Sequence, residues 1–383
     1  MSSNREILSI AQYSSYESDS VEKLLTDTES PSISNKIKEY KIIENRQNFF
    51  ICSAICSVGL KLGSGIYDYK FYANITGDNF TYMYSEKIGN PDNIQVDSGV
   101  TNSFFAPQFV KKAFNVFGYN CIYISNSEIK KNFPAVMKAI KTSVDKDIPV
   151  LAWGMGNVTM KEGNCYNPLP EGCLIGGYDE NGVLYVNLYP GPERLPENSV
   201  DEFGYSAITN GLDTTYGLFF AGEKLSSSNM RHIYQDVINS IPTFLTLPPN
   251  ESDEGRIVFG KAAFETWAKT LETDSYFENK TDEELRDICW SLHCSPYCLV
   301  CTGSAYDFIK NAVEQYPDLA MAVQLLSLYK KIHDYKEEIW AFQGNFYPPM
   351  NKFKIHDFRA HIAEILRKMG GVCEEILLAF GKK

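Results

Sequence analysis

The 383-residue sequence has no histidine before position 232. The five histidines are His232, His293, His333, His356 and His361. A cysteine nucleophile at neutral pH needs a base within hydrogen-bond reach, and that base is nearly always histidine. The absence of histidine therefore argues against ordinary cysteine-protease chemistry in the first 231 residues.

Other absences exclude whole classes of protein. No apolar run approaches the ~18 residues of a membrane-spanning helix, and the N-terminus lacks the basic-then-apolar layout of a signal peptide. The ten cysteines form no regular framework, so we expect reduced thiols and a cytoplasmic location. A net charge of −12 without a basic stripe argues against a nucleic-acid partner. The sequence specifies no oligomeric state.

One cysteine cluster has the spacing of a metal site. Cys294, Cys298 and Cys301 are separated as in the iron–sulfur loop of radical enzymes, but only helical sequence follows them. Positions 294, 298, 301, 305 and 308 share one face of a helix. We therefore predict that these cysteines pack in the core. We predict neither an iron–sulfur site nor a zinc site, even if Cys289 or His293 is counted as a further ligand. With no phosphate-binding glycine loop present, the sequence predicts no metal and no cofactor.

The length and the periodicity of the chain predict two domains. A chain of this length exceeds what one hydrophobic core usually holds, and period-2 runs give way to period-3.6 stripes near Asn250. We expect a loosely held polar arm over 1–34 and an α/β domain over 35–228. A connecting helix and a proline-rich linker over 229–251 would then lead to a helical bundle over 252–383.

The predicted bundle has about five helices, each marked by its own signal. An apolar stripe begins at Gly260, and Thr281 with Glu284 forms a capping box. Ser295 and Pro296 start a third helix. The last two stripes are Ala322, Leu325, Tyr329 and Ile332, and then Phe358, Ile362, Ile365, Met369, Val372 and Ile376.

A hairpin is the centre of the predicted α/β domain. Apolar runs at 148–154, 171–178 and 183–187 read as strands, and the last two are joined by Asp-Glu-Asn-Gly at 179–182. Asn-Gly between apolar runs is the strongest short hairpin signal.

A helix with two cysteines precedes these strands. Cys52, Ile55, Cys56 and Gly59 lie on one face of a helix that Gly63 can end. The commoner explanation is that both cysteines are small core residues, since buried inert cysteines outnumber nucleophiles. A nucleophile at the start of this helix, where the dipole lowers the thiol pKa, is the alternative.

Three segments carry a family resemblance. Gly177-Tyr178-Asp179 in the hairpin resembles the central sheet of papain-like folds, above all the bacteriocin-leader peptidases. Ile75-Thr76-Gly77 and Phe80-Thr81-Tyr82 resemble a segment of the butirosin-biosynthesis H-type N-terminal domains, and 260–277 resembles the helical domains appended to them. The resemblance implies an α+β chain, a papain-like domain followed by an all-α domain.

The same resemblance implies where a site would lie. Cys52 falls at the nucleophile position and Gln47 at the oxyanion donor, while Glu171 occupies the histidine position with Cys173 two residues further on. The residue that orients the histidine falls near Asn187–Leu188.

Two functions follow from these positions. The first is a degenerate papain-like domain that binds a small molecule or peptide in the inherited cleft, with contacts from Phe50, Trp153, Cys173 and Tyr178. Core packing is the commoner fate of each aromatic residue, and Glu171 favours a neutral or zwitterionic ligand. The alternative is a surviving cysteine acyltransferase or peptidase that uses Cys52, Gln47 and Glu171.

Overall fold

The computed structural model describes residues 17–25, 30–38, 50–66, 68–87, 94–98, 107–153, 158–159, 165–166, 173–188, 201–210, 212, 215–225, 229–252, 255–285, 296–344 and 349–382. These divide into two compact units. The first unit contains the described residues of Leu8–Tyr72 and Ser103–Ser228, and the second those of Ala73–Asn102 and Asn229–Lys383. The N-terminal domain expected over 35–228 thus differs from the first unit, which lacks 73–102.

An antiparallel sheet organises the first unit. Its strands are β1 (Asn35–Lys36), β4 (Tyr119–Ser125), β5 (Val150–Trp153), β8 (Cys173–Tyr178), β9 (Leu184–Leu188), β10 (Ser206–Ile208) and β11 (Gly217–Lys224). They follow the order β10-β9-β8-β5-β11-β4, with β1 paired to β8. A separate pair joins β6 (Val158–Thr159) to β7 (Cys165–Tyr166). The mixed α+β class is therefore confirmed for the described residues.

Five α-helices in the described part of the chain belong wholly or partly to this unit. They are α1 (Phe50–Lys61), α2 (Tyr69–Ile75), α3 (Pro107–Val116), α4 (Asn126–Lys131) and α5 (Phe133–Asp145). Side chains of α5 form one core cluster with alternate residues of the sheet. Helix α1 contacts β5 and β8, and none of its residues belongs to the α5 cluster, so α1 lies on the opposite face.

The predicted hairpin is present, and hydrogen bonds to the Asp179 side chain stabilise its turn. The Asp179 carboxylate accepts from the N–H of Asn181 at 2.9 Å and of Val183 at 3.0 Å. Gly182 has φ 82°, a left-handed conformation that glycine adopts without strain. β8 and β9 pair antiparallel, with a bulge between Ile175 and Gly177.

The polar N-terminal arm is held against the sheet where it is described, so the expectation of a loosely held arm is wrong there. Strand β4 is an edge of the sheet. The Asp19 N–H donates to the Tyr123 carbonyl at 2.8 Å, and the Asp19 carboxylate accepts from the Tyr123 N–H at 3.0 Å. The Ser125 N–H donates to Ser18 Oγ at 3.0 Å. Covering an edge in this way blocks further strand pairing.

Asp145, the last residue of α5, forms hydrogen bonds with the same N-terminal segment at Ser32 and Asn35. Its carboxylate accepts from the Ser32 N–H at 2.8 Å, the Asn35 amide at 2.9 Å and the Tyr178 hydroxyl at 2.7 Å. Burial alone would raise the pKa of Asp145, but these hydrogen bonds outweigh it and hold the pKa below its usual value.

The second unit contains a sheet, which corrects the prediction of an all-α C-terminal domain. Strands β2 (Tyr82–Lys87), β3 (Ile94–Ser98), β12 (Asn250–Ser252) and β13 (Gly255–Phe259) follow the order β12-β13-β2-β3. The proline-rich linker region expected over 229–251 thus ends in a strand. The prediction failed because the partner of β13 is β2, more than 160 residues earlier in the chain, and no local pattern carries that pairing.

The rest of the second unit is helical, as the stripes predicted. Its helices are α6 (Met230–Leu245), α7 (Gly260–Glu272), α8 (Pro296–Gln315), α9 (Ala320–Gln343) and α10 (His356–Ala379). The capping box is confirmed: the Thr281 N–H donates to Glu284 at 2.7 Å, and the Glu284 N–H donates to the Thr281 hydroxyl at 3.2 Å. No helix within the described ranges is long and apolar enough to cross a membrane.

A buried arginine joins α10 to the end of α7. Arg359 is 1% exposed. Its guanidinium donates to the carbonyls of Leu271 at 2.7 Å and Phe353 at 2.5 Å, pairs with Asp274 and lies 4.2 Å from the centre of the Phe277 ring. These partners explain how a charge can be buried here.

Candidate functional site

Helix α1 is the central, enclosed helix of the first unit. From Ile51 to Gly59 every residue is buried, because small and apolar side chains surround the helix on all sides. A Cβ at Gly59 would lie 2.4 Å from the Phe117 ring, so glycine permits this close packing. The helix ends at Lys61, and Gly63, two residues later, has the left-handed conformation (φ 88°) that is typical of a glycine terminating a helix, as the sequence predicted.

An ion pair places one end of α1 near the start of β5. Lys61, the last residue of the helix, pairs with Asp147, which lies shortly before β5. The 12 residues of α1 span about 18 Å, so the first turn, with Cys52, is at the end of the helix away from Asp147. We call the end of the sheet where β5 ends at Trp153 and β8 begins at Cys173 the Trp153 end.

Cys52 lies in that first turn. Its side chain is fully buried, and it forms no disulfide with another described cysteine. The first N–H groups of a helix have no partner within the helix, and they carry the positive end of its dipole. The position thus suits the nucleophile hypothesis, while the burial suits the core hypothesis.

Trp153 forms the aromatic core next to the Trp153 end. It is fully buried and packs against Tyr123, Tyr216 and Phe219, with ring centroids 5.8 to 6.2 Å away. Its carbonyl accepts from the Thr215 hydroxyl at 2.8 Å. Trp153 is therefore a packed core residue in this structure.

Cys173 and Tyr178 lie on the other face of the sheet, so the predicted grouping with Trp153 is wrong. Both belong to the core cluster under α5, together with Ala152, and Trp153 follows Ala152 on the strand, so it faces the opposite side. The bulge after Ile175 returns Tyr178 to the face of Cys173. Burial raises the pKa of the Cys173 thiol to about 12, and the Tyr178 hydroxyl is bound to Asp145.

Several predicted site residues lie outside the described residues. These are Gln47, Glu171 and the side chain of Phe50, for which only the helical backbone is described. The same holds for Cys289, His293 and Cys294 and for the side chains of Cys298 and Cys301, although α8 contains both of the latter as predicted. Among the side chains that the structure does describe, no group of three or more histidine, cysteine or acidic residues converges.

Asn187 lies where the resemblance places the residue that orients a histidine, near Asn187–Leu188. It lies on β9 opposite Leu174 and is 7% exposed. Its Nδ2 donates to the Gly204 carbonyl at 2.6 Å, while its Oδ1 is buried with no hydrogen-bond partner in the described part of the chain. The available signal would have been an amide side chain within an otherwise apolar strand, which reads Leu184, Tyr185, Val186, Asn187, Leu188.

The other described thiols show no activation. Burial, with a smaller contribution from Asp68, raises the pKa of Cys56 to about 12, and its Sγ donates to the Ile66 carbonyl at 3.6 Å. Burial also raises the pKa of Cys121 well above its usual value. Thiols of this kind are inert in their folded environment.

A recess of about 220 Å³ lies elsewhere on the first unit. It is lined by Phe133, Met137, Gly182, Leu184, Ile208, Thr209, Asn210 and Leu212. Leu184 and Gly182 belong to the tip of the hairpin, which is the far end of the sheet from Cys173 and Leu188. The recess is therefore distinct from the α1 cleft.

The sequence matches no protein-family model and no curated protein sequence.

Proposed function

We propose that the first unit is a degenerate papain-like domain that binds a small molecule or peptide without protease activity. The cleft would lie at the Trp153 end, between the first turn of α1 and the start of the β8–β9 hairpin. One observation carries the proposal. Helix α1, which carries Cys52, contacts β5 and β8 on one face of the sheet, in a part of the chain that has no histidine.

The first turn of α1 supplies the attractive interaction. The positive end of the helix dipole favours a carbonyl or carboxylate. Trp153 lies on the same face of the sheet as α1, and an apolar portion of the ligand would contact that face. Glu171, if it faces the cleft, disfavours an anion and leaves neutral or zwitterionic compounds as the preferred ligands.

The competing hypothesis is a cysteine acyltransferase or peptidase of the butirosin-H type. It uses Cys52 as nucleophile, Gln47 as oxyanion donor and Glu171 as base. Its support is the position of Cys52 in the first turn of α1, where the helix dipole lowers a thiol pKa. The argument against it is that a carboxylate is a weak base for a thiol, because the usual pKa values of the two groups differ by about four units.

Thiol reactivity separates the two hypotheses. Folded protein would be treated with iodoacetamide at pH 6, and the site of modification followed by peptide mass spectrometry, with Cys52→Ser as the matched control. We expect Cys52 to react as slowly as Cys56, whose pKa of about 12 makes it an internal standard, until denaturant is added. Rapid modification confined to Cys52 would support the enzyme instead.

Ligand binding tests the cleft itself. Thermal shifts would be measured with N-acyl amino acids, amino-acid esters and tripeptides, in wild type and in Cys52→Ser, Trp153→Phe and Glu171→Gln. Phe133→Ala, in the separate recess, is the control. We expect the cleft variants to reduce the shift and Phe133→Ala to leave it unchanged. No stabilising compound, or shifts that only Phe133→Ala reduces, would refute the inherited cleft.

A further inference from the structure

We propose that the recess beside the hairpin tip is a second binding site, and that its ligand is a small apolar carboxylate such as an arylalkanoate. The apolar part of the ligand fills the recess, and its carboxylate pairs with the ammonium group of Lys141. This site goes beyond the proposed function, because the recess is distinct from the α1 cleft. The two proposals can therefore fail independently.

Apolar side chains from the sheet and from α5 line the recess. Leu184, Ile208 and Leu212 belong to the core of the first unit, and each of them is at most 4% exposed. Phe133 and Met137, one turn apart on α5, also line the recess, and Phe133 is 48% exposed. The volume of about 220 Å³ exceeds the roughly 150 Å³ of an apolar protein cavity that binds benzene. An aromatic ring with a short alkyl chain therefore fits.

A row of helix positions matches a row of strand residues beside the recess. Ile208, Leu184 and Tyr178 form the strand row, because Leu184 pairs with Ile208 on β10 and with Tyr178 on β8. All three belong to the core cluster under α5, so the row lies on the face that carries this helix. Positions 133, 137, 141 and 145 form the helix row, with a rise of about 6 Å between successive members. Neighbouring strands are separated by a comparable distance, about 4.8 Å.

Lys141 follows the two recess-lining residues in this helix row. Its Nζ lies 4.9 Å from the centre of the Tyr178 ring. Both neighbours of Lys141 lead to the recess: Met137, one turn earlier on the helix, lines it, and Tyr178 is the strand partner of Leu184, which also lines it. The ammonium group therefore lies within about one helical turn of the recess lining, a distance that a short alkyl chain spans.

Lys141 is half-buried and has no carboxylate partner. Its ammonium contacts the Tyr178 ring, and it forms no ion pair or hydrogen bond within the described ranges. The acidic residue one turn further along α5, Asp145, already accepts from the Ser32 N–H, the Asn35 amide and the Tyr178 hydroxyl. A carboxylate gains more from a partly buried ammonium than from a fully exposed one. The site therefore favours an apolar ligand that carries a carboxylate and disfavours an amine.

Three probes that share a phenylpropyl frame test the charge requirement. They are 3-phenylpropionate, the neutral 3-phenylpropionamide and the cationic 3-phenylpropylamine. Affinities for the full chain would be measured at neutral pH by calorimetry or ligand-observed NMR. We expect the carboxylate to bind wild type about 3- to 10-fold more tightly than the amide, the contribution of one partly exposed ion pair. The amine should bind more weakly than either, because Lys141 repels it.

Two lysines of α5 provide a matched pair of variants. Lys141→Met removes the charge and keeps an apolar stem, so the ratio of carboxylate to amide affinity should fall to about 1. Lys138→Met makes the same change on a side of the helix turned about 100° away from Met137, and the ratio should persist. Phe133→Ala should weaken the binding of the carboxylate and the amide by a similar factor, because it removes only apolar lining.

Equal binding of the carboxylate and the amide by wild type would refute the role of Lys141. The recess itself would be refuted as the site if no probe binds at millimolar concentration, or if Trp153→Phe abolishes binding and Phe133→Ala leaves it intact. Should Lys141→Met fail to fold, the salt dependence of wild type decides. The carboxylate should lose affinity when NaCl is raised from about 20 to about 500 mM, whereas the amide should not. Equal salt dependence of the two probes would overturn the ion pair.

Discussion

The contact between Asp19 and the edge strand β4 gives the sharpest test of how the first unit is stabilised. Burial would by itself raise the pKa of this carboxyl. Hydrogen bonds from Lys111, the Tyr123 N–H and Lys23, together with the charge of Lys111, overcome that effect and lower the pKa from 3.8 to about 2. A pKa below the unfolded value means that the ionised carboxylate stabilises the folded state.

The size of this stabilisation follows from the pKa. A shift of this extent corresponds to at most about 2.4 kcal/mol. The Asp19 side chain is 18% exposed and its lysine partners 32% and 59%, so solvent screening reduces the value to roughly 1 kcal/mol. Stabilisation is complete above pH ~4 and is lost as the pH falls through about 2.

Hydrogen exchange over residues 119–125 is the appropriate measurement, because Asp19 protects the Tyr123 N–H directly. We expect Asp19→Asn to accelerate exchange there roughly 5-fold at pH 7. Asp19→Ala should accelerate it further, since the N–H then has no acceptor. Lys23→Ala is the control, and because it removes only an exposed ion pair it should change little.

The pH dependence provides the refutation. Wild type and Asp19→Asn should converge as the pH is lowered from 4 toward 2, after correction for intrinsic exchange. Equal exchange in wild type and Asp19→Ala at pH 7 would show that the arm does not protect β4. A difference that remains constant down to the lowest accessible pH would show that the charge of Asp19 is not responsible.

Two further predictions concern the second unit. Gly77→Ala should destabilise it by about 2–5 kcal/mol, because Gly77 has φ 84° and a Cβ would lie 2.2 Å from the Phe244 ring. Gly344→Ala, with φ 88° and open space around its Cβ position, should cost only about 1 kcal/mol, and similar losses in urea denaturation would contradict the clash. Arg359→Met should lower the free energy of unfolding by about 3 kcal/mol in the same assay, since it leaves the Leu271 and Phe353 carbonyls without this donor. The comparison variant is Asp274→Asn, whose native side chain is 46% exposed. If Arg359→Met costs no more than Asp274→Asn, the exposed ion pair dominates.

Local signals in the sequence predicted the local structure well. Asn181-Gly182 predicted the hairpin because a tight turn needs a left-handed residue. The apolar stripes predicted α7, α9 and α10 because each stripe reports one buried helix face, and Ser295-Pro296 predicted the start of α8. The capping box at Thr281 is a further example. In each case the residues that determine the element lie within a few positions of one another.

The predictions that failed depend on distant residues or on one inserted residue. Nothing near 255–259 indicates that its partner is 82–87, and nothing near Asp19 indicates that its partner is Tyr123. The proposed grouping of Trp153 with Tyr178 failed for a smaller reason. One bulge residue after Ile175 changes which face Tyr178 occupies, and a bulge of this kind leaves no clear pattern in a run such as Ile-Gly-Gly-Tyr.

The interleaving of the two units determines the order in which the chain can fold during synthesis. Strands β2 and β3 leave the ribosome long before β12 and β13. Strand β4 likewise leaves it before its sheet neighbour β11 has been made. At ordinary elongation rates the wait is on the order of ten seconds. Throughout that time both sheets present open edges, which invite pairing with other nascent chains. Chaperone binding early in synthesis would therefore act on strands whose own partners have not yet been made.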